Sequence, residues 1–429
     1  MSLRLARCFG LVALVALPVF ADTAPRQLAS WEEAVELFGK QSTDVQIAAE
    51  EVVRAAGRRR VALGALLPNV SGSALASFSL LPAPAGEETT AALFGAAPYQ
   101  TLGLVAQLAV IDVRAWNGLA TAIDAEKATK LSVSDARRLL LVNLAQSLLS
   151  AVAAERLAEL NASGLADAQS RLNLSERAHA AGAATSLDLA RLRQDVALAK
   201  SQVVTANETL RQARETLGLA LGLDEAVTVA PGFQLDGLAA RVPAACRAVA
   251  GLDDRPDVQA ALARFEVAHR GVLDVKSQFL PSLAVRSTAQ AFFLSGQAIP
   301  IWNLQAVLTV PIFDGGIRYG QLRDAKAQEK QAEARHVAAV RQARVELERA
   351  RRGIEVATDS RTQAEEALTQ AVLTETLTRK AWDAGIGTSL ELVTAASSVR
   401  AQRLTLALKD YDLLRARVVA LFALSECSP

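Results

Sequence analysis

Few residues in this chain are of the types that do chemistry, and their spacing suits none of the familiar reactions. His179, His269 and His336 are the whole histidine complement, and they lie too far apart to show the short spacings that place two imidazoles on one metal ion. No glycine-rich phosphate loop and no dinucleotide fingerprint occurs. Cys8, Cys246 and Cys427 are the only cysteines. Cys246 and Cys427 are compatible with one disulfide or with two free thiols, and neither amounts to a disulfide framework. The expectation is a protein that is not an enzyme and holds neither metal nor cofactor. What stands out instead is a pair of acids in matching surroundings. Asp188 lies in Ala-Gly-Ala-Ala-Thr-Ser-Leu-Asp-Leu (181–189), and Glu391 lies in Ala-Gly-Ile-Gly-Thr-Ser-Leu-Glu-Leu (384–392). An acid just after such a turn falls in the first turn of a helix, whose positive end favours it.

These two blocks are one of three matches between the halves of the chain. Asp44-Val45-Gln46, with Leu67-Pro68 after it, corresponds to Asp257-Val258-Gln259 and Leu280-Pro281 at an offset of 213. Ile111-Asp112 and Asn117-Gly118 correspond to Phe313-Asp314 and Tyr319-Gly320 at an offset of 202, and the turn blocks match at 203. Matches in one order at nearly constant offset mark an internal tandem duplication. The organisation read from it is a leader at 1–21, a first repeat at 22–223, a linker or equatorial element at 224–251, a second repeat at 252–424 and a tail at 425–429.

Each repeat opens with a helical segment, 31–66 and 254–280, that ends at Leu-Pro, where helix is disfavoured. Ser30 followed by Glu33 has the capping-box spacing. The hydrophobic period then changes from about 3.6 to 2, which predicts strands at 70–80, 99–111, 283–294 and 301–313. Leu102, Leu104, Ala106, Leu108 and Val110 alternate with Thr101, Gly103 and Gln107; Leu304, Ala306, Leu308, Val310 and Ile312 hold the same register. Segments this long exceed the usual globular strand of about 5 or 6 residues and suit a tilted bilayer span of about 9 to 11. Four strands cannot close a membrane barrel, and open edges are not tolerated in lipid. The chain must therefore oligomerise: two copies would supply 8 strands and three would supply 12.

After each second strand comes a long proline-free helical pattern, 114–180 and 316–384, each reaching roughly 100 Å at about 1.5 Å per residue. In the second, Val340, Ala343, Leu347, Ala350, Ile354, Ala357, Arg361, Ala364, Leu368 and Ala371 alternate spacings of three and four, a coiled-coil seam that only Arg361 interrupts. The Gly-containing blocks turn the chain into return helices, 186–221 and 389–424. Each is about half as long as its partner, and stacking end to end with an opening helix would make up the difference. Trp116 and Trp302 lie near strand boundaries where amphipathic rings suit a membrane interface, although helix packing accounts equally for Trp116. Arg58-Arg59-Arg60 reads as a solvated helical face.

Composition limits the alternatives. Of 429 residues, 51% are hydrophobic but only 4% aromatic, and 46 basic side chains face 45 acidic ones. That balance argues against a nucleic-acid partner, which calls for a basic excess. Arg4 and Arg7, an apolar run and Val19-Phe20-Ala21 read as a secretory leader cleaved after Ala21. A retained anchor is disfavoured, because about 11 apolar residues fall short of the roughly 20 that cross a hydrocarbon core. No later stretch of 18 consecutive apolar residues occurs.

The Pro-Ile-Phe-Asp-Gly-Gly block (311–316), the Gly-Ile-Gly-Thr-Ser-Leu-Glu-Leu block (385–392) and the duplication together resemble the outer membrane efflux protein family, the TolC-like exit ducts, over nearly the whole mature chain. The resemblance implies a homotrimer whose chains give four strands each to a 12-stranded β-barrel in outer-membrane lipid, continued by a coiled-coil α-helical tunnel through the periplasm. It implies a periplasmic adaptor (membrane fusion protein) and an inner-membrane pump as partners. It further implies that the turn blocks form the periplasmic tip. Gly182, Thr185, Ser186, Leu187, Gly385, Gly387, Thr388, Ser389 and Leu390 would be adaptor-contact residues, and Asp188, Glu391 and Trp382 would line the constriction. Thr394 stands where some relatives have a second acid. Where some relatives close the tip with an aromatic hydroxyl and an arginine, this chain has Trp382 and Gly387, which carry neither group. The function implied is passive conduction of substrates, in an efflux pump or a type I secretion system. A periplasmic adaptor or coiled-coil scaffold is the alternative, but an adaptor should carry one helical hairpin between split β-domains, whereas this chain has two hairpins and repeated strand pairs.

Overall fold

A computed structural model describes residues 26–78, 99–230, 247–294, 297–423 and 425–426. The expected leader, Cys246 and Cys427 lie outside these residues. The elements in chain order are β1 (Arg26–Leu28), α1 (Trp31–Gln41), α2 (Thr43–Gly64), β2 (Asn69–Ser77), β3 (Tyr99–Ile111), α3 (Val113–Ala180), α4 (Ser186–Leu221), β4 (Val227–Val229) and β5 (Arg247–Ala248), then α5 (Pro256–Ser277), β6 (Ser282–Leu294), β7 (Gln297–Thr309), α6 (Ile317–Asp383), α7 (Ser389–Ala423) and β8 (Ser425–Glu426). One 3₁₀ turn, Leu252–Asp254, precedes α5.

The four long strands form one antiparallel sheet in the order β2-β3-β6-β7, so the strand pairs of the two repeats adjoin. Directly paired residues share a face, and the register puts Val70, Gly72 and Ala74 beside Leu102, Leu104 and Ala106, and these beside Ser287, Ala289 and Ala291. Trp302, Leu304, Ala306 and Leu308 complete that face on β7. Ser287 is its one hydroxyl, and Trp302 satisfies it by donating its indole N–H at 2.9 Å. The opposite face carries Ser71, Ser73, Thr101, Gln107, Arg286, Thr288, Gln290, Asn303 and Gln305. Among the described residues, the outer edges of β2 and β7 have no strand beside them.

The fourth strand runs from Gln297 to Thr309, not from 301 to 313. Pro300 enters it because β7 is an edge, where a missing N–H breaks no ladder, while Pro311 lies just beyond the last paired residue. The expected helix over 31–66 is two helices, parted at Ser42, where ψ is 120°. That break matters for the stacking. Gly222 (φ +79°), at the end of α4, approaches so closely that a Cβ there would lie 2.4 Å from the Gln41 carbonyl oxygen. Helix α4 thus abuts the start of α2. The second repeat forms the same joint differently: Arg255, 1% exposed, donates to the Ala423 carbonyl at 3.1 Å and pairs with Asp257 and Glu346 at 2.8 Å each. A last-turn carbonyl of α7 that the helix itself leaves unpaired is thereby bonded, and Arg138 donates to the neighbouring Phe422 carbonyl.

At these joints lies the main core. Leu141, Leu144, Ala145 and Leu148 of α3 meet Trp31 and Phe38 of α1, Leu217 and Leu221 of α4, and Phe422 of α7. Helix α3 contains one stretch long and apolar enough to cross a membrane by length and composition, and this packing accounts for it. Short strand pairs flank the core: β1 pairs with β4 in parallel, and β5 pairs with β8 in antiparallel.

The long helices span 68 and 67 residues, about 100 Å each. Asp112 caps α3 by accepting from Ala115 N at 3.0 Å. At the head of α6, Asp314 accepts from Gly316 N and Arg318 N, both at 3.1 Å. Arg318 in turn pairs with Asp314 at 2.6 Å, reaches the Pro311 carbonyl at 3.2 Å and lies over the Phe279 ring at 4.9 Å. The Pro-Ile-Phe-Asp-Gly-Gly block is therefore a rigid sheet-to-helix joint. In the α6 seam, Ala343, Ala350, Ala357 and Ala364 are buried. Arg361 is tolerated among them because it bonds Asp410 of α7 at 2.8 Å and Glu365 at 2.9 Å.

Candidate functional site

The end of the helical region away from the sheet is built twice from one turn. At Ala181 the helix α3 ends, Gly182 takes φ +76°, and Ala183 N bonds back to the Ala178 carbonyl at 2.8 Å. Gly385 takes φ +75° after α6, with Ile386 N bonded to the Ala381 carbonyl at 3.1 Å. Glycine supplies the left-handed conformation at little cost. Gly387 is needed for a different reason: a Cβ there would lie 2.9 Å from Trp382 N. An arginine has no room at that position unless the turn shifts.

Both acids then cap the helices that begin. Asp188 Oδ2 accepts from Thr185 N at 3.0 Å and from the Thr185 hydroxyl at 2.7 Å, while Asp188 N donates to Thr185 Oγ1 at 3.2 Å. Glu391 repeats this with Thr388 at 2.8, 2.9 and 3.3 Å. These are reciprocal capping boxes. The Ser389 hydroxyl, then Thr185, hold the Asp188 carboxyl below the usual range. The Thr388 N–H and then its hydroxyl do the same for Glu391.

Ser389 is 2% exposed, so of the expected contact residues it is the one committed inside the chain. It accepts from Arg191 at 3.1 Å and bonds Asp188, which ties the second turn to the first. Gly182, Thr185, Ser186, Gly385 and Thr388 are exposed and Gly387 is partly covered. Leu187 is 58% exposed and Leu390 50%, and Ile386, which sequence reasoning passed over, is 83% exposed. Three bare aliphatic side chains thus crown an otherwise polar tip.

Trp382 is half-buried and lines a cleft of about 580 Å³ between α3, α4, α6 and α7. Arg171, Arg379, Arg400 and Arg403 also line it. Behind it sits a buried ionic cluster: Asp195, 3% exposed, accepts from Arg171 at 3.2 Å and pairs with Arg400. Arg400 packs so tightly on α3 that a Cβ at Gly164 would lie 2.6 Å from its Cδ. Sequence reasoning missed this cluster because its members come from three helices and none stands in the repeated blocks. Among the described residues no group of His, Cys, Asp and Glu is placed to hold a metal ion.

The profile of the outer membrane efflux protein family matches residues 250–424. The chain is similar to that family over those residues. Among curated relatives, Pseudomonas aeruginosa OprJ is 28% identical over 46% of the chain and 43% of its own length. The toluene efflux pump outer membrane protein TtgC of Pseudomonas putida is 25% identical over 72% of the chain and 63% of its own. Each match thus covers less than two thirds of the relative. Among solved structures, CusC superimposes with a TM-score of 0.80 at 20% identity, covering 94% of this chain and 95% of CusC. VceC of Vibrio cholerae gives 0.76 at 18% identity, covering 93% and 96%. The fold is therefore that of CusC and VceC, and it includes both repeats.

Proposed function

We propose that the chain is the outer-membrane exit duct of a tripartite efflux pump or a type I secretion system. It would conduct substrates passively from an inner-membrane pump and a periplasmic adaptor to the exterior. The observation that carries this reading is the sheet, which has one continuous apolar face and two edges unpaired among the described residues and is joined to helices of about 100 Å. An apolar face on long strands suits lipid, and unpaired edges in lipid require neighbouring chains. Three chains would close a 12-stranded barrel, with the opposite, polar face turned to a water-filled lumen. The family match over residues 250–424 and the efflux role in the name of TtgC support the same reading. The long helices would form the periplasmic tunnel, with the two turns at its tip.

At that tip, Leu187, Ile386 and Leu390 would meet the adaptor, since exposed apolar groups on a polar rim are the usual anchors of an interface. Asp188, Glu391 and Trp382 are proposed to line the constriction. An adaptor or scaffold role fits less well, because two helical hairpins here share one sheet. Fractionation with unheated gel electrophoresis tests the reading: a trimer in the outer membrane is expected, and a soluble periplasmic monomer would refute it. Cysteine cross-linking from positions 187 and 390 to the adaptor tests the tip.

A further inference from the structure

The strands β2, β3, β6 and β7 contain a single side chain charged at neutral pH, Arg286 in β6. It lies exposed on the polar face, directly across from Gln107 on β3 and Gln305 on β7. No ion pair to it occurs among the described residues. A charge at membrane depth is costly unless it meets water or a counter-ion, and such residues mark ion and solute paths. Here the neighbours are neutral amides, so the positive potential is uncompensated.

Resting on the channel reading above, we propose that Arg286 forms a ring in the barrel lumen that favours anionic solutes. A closed sheet of 12 strands spaced about 4.8 Å and tilted about 40° has a backbone diameter of about 24 Å. An arginine reaching about 6 Å from that wall brings its charge within one Debye length, about 8 Å at physiological salt, of the axis. Three such charges cover the whole cross-section. The solutes favoured are chloride and small molecules carrying carboxylate, phosphate or sulfate groups, as rings of basic side chains do in anion pores.

The test is the reversal potential of the full-length protein in planar bilayers under a KCl gradient. Arg286→Gln is expected to lower the chloride-to-potassium permeability ratio by about twofold, a change sized for a screened charge. Arg286→Glu should lower it further and Arg286→Lys should keep the wild-type value. Conducting channels whose ratio is the same in wild type and Arg286→Gln would overturn the inference while leaving the channel reading intact. A wild-type protein that opens no channels at all would remove that reading and this inference with it.

Discussion

Replacing Asp195 with alanine should loosen the lower helical bundle more than any exposed charge removal. The carboxylate is 3% exposed and is the shared partner of Arg171 and Arg400, whose side chains are each 14% exposed. Its loss leaves two guanidinium groups largely out of water with no counter-charge, a change that typically costs about 3 to 5 kcal/mol. The opening would be local, and a cost of that size accelerates amide exchange by about 140- to 4,000-fold in the helices involved. Hydrogen exchange read by mass spectrometry over 160–175 and 395–405 measures it. Glu176→Ala is the control, since Glu176 pairs with Arg193 at 3.2 Å with both side chains well exposed, and such pairs contribute about 1 kcal/mol or less. Adding Arg400→Met to Asp195→Ala should restore part of the protection by removing one stranded charge. Equal protection in Asp195→Ala and Glu176→Ala would refute the reasoning.

The capping boxes predict acid sensitivity at the tip. Asp188 and Glu391 have carboxyls held below their ordinary range, so their contribution is complete at neutral pH and is lost as pH falls through the lowered folded-state values, on the acid side of an ordinary carboxylate's titration. Exchange at 185–191 and 388–394, corrected for intrinsic rates, should rise only there. Asp188→Ala with Glu391→Ala should alter single-channel conductance or cation preference, and unchanged traces would reject the constriction assignment. Gly222→Ala should lower the melting temperature, because the left-handed conformation costs about 1 to 2 kcal/mol for other residues and its Cβ would strike the Gln41 carbonyl. Gly271→Ala, in the middle of α5 with open space around it, should instead be neutral or stabilising by up to about 1 kcal/mol.

Much of the architecture was legible because it rests on local patterns. The strand at 99–111 and the return helix from Ser186 to Leu221 match the structure at both ends, since alternation, glycine and a following Thr-Ser mark them without tertiary help. The strand at 297–309 was misjudged because Pro300 argues against a strand until it is known to lie at an edge. The break at Ser42 was invisible because nothing in 31–66 stops a helix. It coincides with the close approach of Gly222, 180 residues away in the chain, to the Gln41 carbonyl.

The site divides in the same way. The sequence alone determined where the tip turns are and which residues they share, because a left-handed turn followed by a helix start is chemistry confined to about ten consecutive residues. Only the tertiary structure decided that Ser389 faces inward to join Asp188 and Arg191, and that Trp382 borders a cleft lined by four arginines. It alone assembled the cluster of Arg171, Asp195 and Arg400. Those contacts depend on the rotation of one 100 Å helix against another, and that is set by the summed packing of seams over many turns, not by any short stretch of residues.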